Sequence, residues 1–337
     1  MGDRVIRYRE QLVTALRAVA VTSSTSYAWF GSASRPLPGA LRSALTPDAE
    51  REYLVHAIER ELYRSFYTQG RPVPRSPVGV VAPPSDDAFA EALSRANTGA
   101  GGWEPGWRIE TVERGGTARV ERGGLRVVAS ASDCRPQGGT RKPGAPVSLR
   151  RPKELTARSP GFYIAVGDAE PAPAPGEVEL RVYFNATAAG AAPLVGMCTR
   201  LLNAAEVPFN LKVLNHPTGF ARCDVAVLYL SVGDFARARA SLSGIASACA
   251  PHLRSDVPAF AKPLARGVAV GEHRSNLGGS FGSSRCRMVA EGIVSAHECR
   301  TERLADRLAA VARRFADQGL NIEAPYLASQ SAERYEL

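Results

Sequence analysis

A chain of 337 residues, 45% hydrophobic and 22% charged, carries enough apolar material for a substantial core, which excludes a disordered or fibrous protein. Its net charge of +9 suits an anionic ligand, whether phosphate, nucleic acid or an acidic peptide, and suits plain arginine enrichment equally well. Six cysteines without a Cys-x-x-Cys spacing argue against a zinc site and a disulfide framework, so no metal is expected. No apolar run reaches membrane-span length, and charges interrupt the first residues, so a cytoplasmic protein without a membrane partner is expected.

Periodicity predicts an amphipathic helix over residues 3–20. A second helix starts at Thr46, with Pro47 at the first helical position and Asp48 and Glu50 in the first turn. Its stripe of Leu54, Ile58, Leu62 and Phe66 is spaced i, i+4, and Gly70 ends it. A proline-rich passage at 72–84 leads to a short helix at about 86–96. Residues 1–100 thus read as a helical region and 101–337 as an α+β domain, unless the two form one continuous domain.

From Trp107 the period changes to two. Segments 108–112, 117–122 and 125–129, separated by Gly-Gly pairs, read as a meander of hairpins. A Gly/Pro-containing loop at 131–160 follows, rich in Arg and Lys; it is expected to be solvated, with contact to an acidic partner or substrate as the alternative. Then come a strand at 162–166, a Pro-Ala linker at 171–175, a strand at 178–185 and a helix at 191–205. After a hairpin at 209–230 the pattern gives a helix at 234–250, a strand at 267–271, a glycine-rich turn into a helix at 284–298, and a last helix at 302–317. Strands grouped between helical ends define an α+β fold: a helical N-terminal layer and a central, mainly antiparallel sheet with flanking helices.

Only four of the 42 basic residues are lysines, at 142, 153, 212 and 262. Lys212 sits in the first strand of the hairpin, where the two-residue period puts it opposite Leu211 and Val213. Lysine can lose its proton and act as a base whereas arginine cannot, although a solvent-facing strand lysine fits the pattern too. Arg222 and Asp224 open the second strand and Tyr229 closes it. Arg181, Tyr183 and Asn185 alternate on one face of the 178–185 strand. Ser280-Phe281-Gly282-Ser283-Ser284-Arg285 places hydroxyls just before a helix, which suits an anion or an ordinary cap. Among the five histidines, His216 lies four residues after Lys212, and no Ser-His-Asp arrangement is apparent.

At these residues the sequence resembles the HopA-type family of type III secretion effectors, a domain that also occurs as a stand-alone enzyme in bacterial peptide natural-product clusters. The resemblance rests on Leu62-Tyr63 with Phe66-Tyr67 and Gly70, Val182-Tyr183-Phe184-Asn185, Pro208-Phe209 with Leu211-Lys212-Val213, Arg222-Cys223-Asp224 through Leu228-Tyr229, Gly267 with Glu272, and Ser280-Phe281-Gly282 with Arg285. It spans about residues 55–300. Relatives in class V lanthipeptide and thioamitide pathways work beside a separate kinase. The resemblance therefore implies a phosphoserine/phosphothreonine lyase that makes dehydroalanine and dehydrobutyrine in a leader-bearing precursor peptide, with the Ser/Thr peptide kinase as partner, no cofactor and no nucleic acid. More distantly, the Lys, Arg, Tyr order is similar to the phosphothreonine lyases of bacterial effectors and of class III and IV lanthipeptide synthetases. Those enzymes carry a Lys-x-His pair where this chain reads Arg181-x-Tyr183-x-Asn185, which leaves the general acid unassigned.

Elimination of phosphate needs a base for a weakly acidic α-proton, cations for the leaving group and a donor for the amide carbonyl. The assignments expected are Lys212 as base, with its pKa lowered by Arg222 and Arg285, and Arg181, Arg222 and Arg285 as phosphate ligands. Tyr183, Tyr229 or His216 is expected as acid or carbonyl donor, Asp224 and Glu272 as residues that orient arginines, and Asn185 and Ser280 as further polar contacts. The competing reading is a non-catalytic phosphopeptide-binding module that recruits the kinase. Nucleic-acid binding is the weaker third, because no aromatic platform interleaves the basic residues.

Overall fold

The computed structural model describes residues 2–77, 79, 85–113, 115–170 and 178–337; the Pro-Ala linker and part of the 72–84 passage lie outside the described residues. Its centre is a seven-stranded, wholly antiparallel sheet. Across it run the strands Lys262–Ala265, Val268–His273, Glu179–Phe184, Ala226–Ser231, Asn210–Leu214, Phe162–Val166 and Glu154–Leu155.

Alternation along these strands builds two cores. Leu180, Val182, Leu211, Val213, Leu228 and Val270 face one way, against the helices Ala191–Ala204 and Phe235–Cys249. Tyr183 and Val227 face the other way, against the helices Pro47–Ser65, Phe281–Glu298 and Leu304–Asp317. The expectation of an α+β fold with a central, mainly antiparallel sheet and flanking helices is met. Thr46 caps its helix as expected, its Oγ accepting from the Ala49 N–H at 3.3 Å.

Residues 1–100 share these cores. Leu12, Leu54 and Ile58 pack in one cluster with Val289, Ile293 and Phe315. Arg307, on the last helix, donates from Nη1 to the carbonyls of Leu16 at 2.9 Å and Val19 at 2.6 Å.

Three expectations need correction. The first helix stops at Ala18 and the chain turns into a three-stranded sheet over Val19–Ser23, Ser26–Trp29 and Ser32–Ala33. The β-branched residues Val19, Val21 and Thr22 favour that switch. The basic loop also turns out to be ordered. Cys134–Pro136 and Pro146–Arg151 complete a five-stranded sheet with the three meander strands, around a core of Trp107, Ile109, Val120 and Val147. Some of its cations are engaged internally, Arg135 lying 4.1 Å from the Trp103 ring centroid and Lys153 donating to the carbonyls of Ser94 and Asn97, while Lys142, Arg150 and Arg158 are exposed as expected of a solvated segment. Finally, Arg222 and Asp224 precede the second hairpin strand, which begins at Ala226 after a 3-10 turn at Pro217–Phe220.

Candidate functional site

The hairpin register assembles the site. Lys212 pairs across to Ile164 on one side and Val227 on the other, and Val227 pairs with Tyr183. One step along, Asn210, Tyr229 and Arg181 form the next row on the same face. Directly opposite residues in an antiparallel ladder share a face, so Lys212, Tyr183, Tyr229 and Arg181 all face the Pro47–Ser65 and Phe281–Glu298 helices.

Those helices cover only part of that face. Phe281 lies over the sheet with its ring centroid 5.9 Å from that of Tyr183. It can approach because Gly271 beneath has no side chain: a Cβ there would come within 2.6 Å of the Phe281 ring. A Cβ on Gly282 would come within 2.4 Å of Tyr67. Glycine at both positions thus lets two aromatic rings settle against the sheet and its covering helix. The Phe162 and Asn210 strands remain open, with Phe162, Ile164 and Lys212 half-buried.

The loop after the 3-10 turn is pinned by the Cys223 N–H, which donates to the Thr68 carbonyl at 2.6 Å. Asp224, buried, takes Arg222 in a two-pronged ion pair, Nε to Oδ1 and Nη2 to Oδ2, the latter at 2.7 Å. Tyr63 lies beside this pair, its hydroxyl 3.3 Å from Arg222 Nη2 and 3.4 Å from Asp224 Oδ2. Arg181 binds Glu179 through Nε at 2.7 Å and stacks 5.3 Å from the Tyr229 ring centroid. Its two terminal nitrogens make no hydrogen bond among the described residues.

Lys212 places its amine 3.9 Å from the Phe162 ring centroid. Partial burial, then the positive charges of Arg181 and Arg222, hold its pKa below the ordinary lysine value, with Asp224 acting in opposition. Burial raises the pKa of both Tyr183 and Tyr229, against the pull of Arg181, so both keep their phenolic protons. The Tyr183 hydroxyl is buried and makes no well-aligned hydrogen bond.

Several expected residues sit elsewhere. Arg285 is 0% exposed. It donates to the carbonyls of Pro325 and Glu272 and to the Ser284 hydroxyl, and lies 4.2 Å from the Phe281 ring centroid. It therefore ties a strand, a helix and the C-terminal segment together, and burial keeps it from an incoming phosphate. The Lys212 pKa responds to Arg181 and Arg222 as its cationic neighbours. Glu272 points to the other face of the sheet. There its carboxylate accepts from the Tyr335 hydroxyl and from the Ala328 N–H at 2.8 Å, so it anchors the 326–335 segment rather than orienting an arginine. His216 caps the 3-10 turn, accepting from the Thr218 N–H at 3.2 Å. Ser280 caps its helix through the Ser283 N–H, the ordinary-cap reading. Asn185 is buried just past its strand, donating to the Asp256 carbonyl at 2.8 Å.

Residue-by-residue reading of the sequence passed over Tyr63, Phe162, Glu179 and His273. Alternation alone could have placed His273 with Gly271 on the Arg181 face. It is buried next to Arg285, with Nδ1 3.3 Å from Nη1. Burial, then Arg181 and Arg285, lower its pKa to about 4.

The fold and site define a protein with an antiparallel sheet sandwiched between helical layers, carrying a half-buried lysine whose pKa is lowered by the charges of two arginines. The HopA1 effector protein family matches residues 155–327, a little over half of the chain, and the protein belongs to that family. Two solved structures are similar. An effector protein from Pseudomonas syringae pv. tomato strain DC3000 is 14% identical, with a TM-score of 0.48, over 83% of this chain and 96% of that one. An effector protein from Pseudomonas syringae pv. syringae strain 61 is 15% identical, with a TM-score of 0.47, over 82% and 93%. No curated protein matches.

Proposed function

We propose that this protein is a phosphoserine/phosphothreonine lyase. It eliminates phosphate from a kinase-phosphorylated precursor peptide to leave dehydroalanine or dehydrobutyrine, as in class V lanthipeptide or thioamitide biosynthesis. The observation that carries this reading is half-buried Lys212 on an open sheet face, one row along the ladder from Arg181 and with its amine over the Phe162 ring; burial and the charges of Arg181 and Arg222 lower its pKa. In the proposed step neutral Lys212 takes the α-proton. The electron pair of that C–H bond forms the Cα=Cβ double bond, and the Cβ–O bond breaks to release phosphate to the two guanidinium groups. The half-buried Tyr229 hydroxyl supplies the donor for the amide carbonyl, since the Tyr183 hydroxyl, like Arg285, is buried away from an incoming substrate. Arg285 holds the fold and has no part in the chemistry. The Ser/Thr peptide kinase acts first, as a separate partner.

The test is mass spectrometry of a phosphorylated Ser/Thr peptide incubated with wild type and with Lys212→Ala. Loss of the elements of phosphoric acid with wild type alone supports the lyase and its base together. Phosphate retained by both proteins, with peptide bound, favours the module that recruits the kinase.

A further inference from the structure

Two clefts open on the sheet, and they flank the site from opposite directions. The first, of 980 Å³, reaches Phe162, Leu214, Arg222 and Tyr63. The second, of 820 Å³, reaches Val166, Asn210 and Tyr229. Phe162 and Val166 lie on one strand, Leu214 and Asn210 on its neighbour, with Ile164 and Lys212 directly paired between them. Alternation puts Phe162, Ile164, Val166, Asn210 and Lys212 on the site face, while Leu214, at the strand end, also joins the far-face core. Four strand steps, from Phe162 to Val166, separate the two clefts, about 13 Å at ~3.3 Å per residue. The bridging residues, Ile164 and Lys212, are half-buried rather than covered.

We infer that the two clefts and the strip between them form one track for an extended peptide, with the reacting residue held over Lys212 and its flanks in the two clefts. This rests on the lyase reading above and adds how the substrate lies. The track takes internal residues of a long peptide and needs chain on both sides.

The clefts differ in charge. Exposed Arg35 and Arg60 line the first and make no ion pair among the described residues. The acidic groups there are already engaged: Glu59 accepts from Ser283 at 2.6 Å, and Glu61 accepts from Ser65 and from Arg64, the latter at 2.9 Å. The second cleft carries Arg151, Arg158 and Arg237 against Glu170, Glu179, Glu206 and Asp234, so the two signs nearly balance. An acidic flank therefore belongs in the Arg60 cleft, and the other flank is read with little regard to charge.

The experiment uses the full chain and synthetic peptides with one central phosphoserine. One set is shortened on either side, and another carries acidic residues on one flank or the other. Turnover is followed by mass spectrometry and binding by fluorescence anisotropy. Shortening either side is expected to lower kcat/KM, and acidic residues are expected to help on one flank only. Arg60→Glu should cut the preference for that acidic flank by roughly fivefold, about 1 kcal/mol. Asn210→Trp, at an exposed position, fills the second cleft and should erase the benefit of the other flank, with thermal melting confirming that the variant folds. Turnover that ignores both truncations overturns the track and leaves the lyase standing. Flank-dependent binding without turnover overturns the lyase and keeps the track. Absence of binding by every peptide overturns both.

Discussion

Asp224 grips Arg222 with both carboxylate oxygens, and the guanidinium charge it holds in place lowers the Lys212 pKa. The carboxylate does two things: it aligns the arginine, and its charge supports the protonated form of the lysine. Asp224→Asn should loosen one prong and raise KM for a phosphopeptide several-fold. It should also move the rising limb of kcat/KM toward lower pH, because the lysine then loses its proton more easily. A limb that stays in place would uncouple the two residues.

Arg181 acts on the lysine with the opposite sign. Replacing it with glutamine removes a like charge, so the Lys212 pKa rises and the same limb should shift to higher pH. Lys212→Arg keeps the cation and loses the base. Elimination should fall by about 10² to 10⁴-fold, with phosphopeptide binding retained.

Gly282→Ala tests the close fit over the sheet. The new methyl would meet the Tyr67 ring at 2.4 Å, with Tyr67 and the neighbouring Phe281 both fully packed. Urea unfolding should show a loss of about 1–3 kcal/mol.

His273 links stability to pH. Its pKa of about 4 in the folded chain lies below the ordinary 6.5, so folding favours the neutral ring between Arg181 and Arg285. The stability this provides is complete above pH 6.5 and is lost as the pH falls from there to 4, by at most about 3 kcal/mol. His273→Gln should flatten stability across that interval in denaturant melts.

Tyr335→Phe deletes the hydroxyl that serves the buried Glu272 carboxylate. A cost of about 1–3 kcal/mol is expected for the weakened buried acceptor. The pH limb of Lys212 should not move, since Glu272 faces the far side of the sheet.

The parts of the site that sequence revealed are those written in local patterns. Alternation placed Lys212 opposite Leu211 and Val213, and put Arg181 with Tyr183. Lysine scarcity singled out the base. Arg285 misled for a physical reason: an arginine in the first turn of a helix looks available for an anion. What buries it is a segment forty residues further on, whose Pro325 carbonyl takes its Nε–H. Glu272 fails in the same way, because its partners Ala328 and Tyr335 lie far along the chain. The order of strands across the sheet was equally hidden, since the strands beside Arg181 come from residues 226–231 and 268–273. The sheet at 19–33 was masked by helical periodicity that runs up to Ala18, and the strands at 134–151 by a basic composition that reads as solvated loop.

The contact of Arg307 with the carbonyls of Leu16 and Val19 joins positions 291 and 288 residues apart, and the surrounding core joins the same two regions. Closing so large a loop costs entropy before any packing returns it. The layer that covers Tyr183 should thus be among the last parts to set during refolding. Far-UV circular dichroism should recover before activity, through a transient species whose sheet is formed but whose site face is still uncovered.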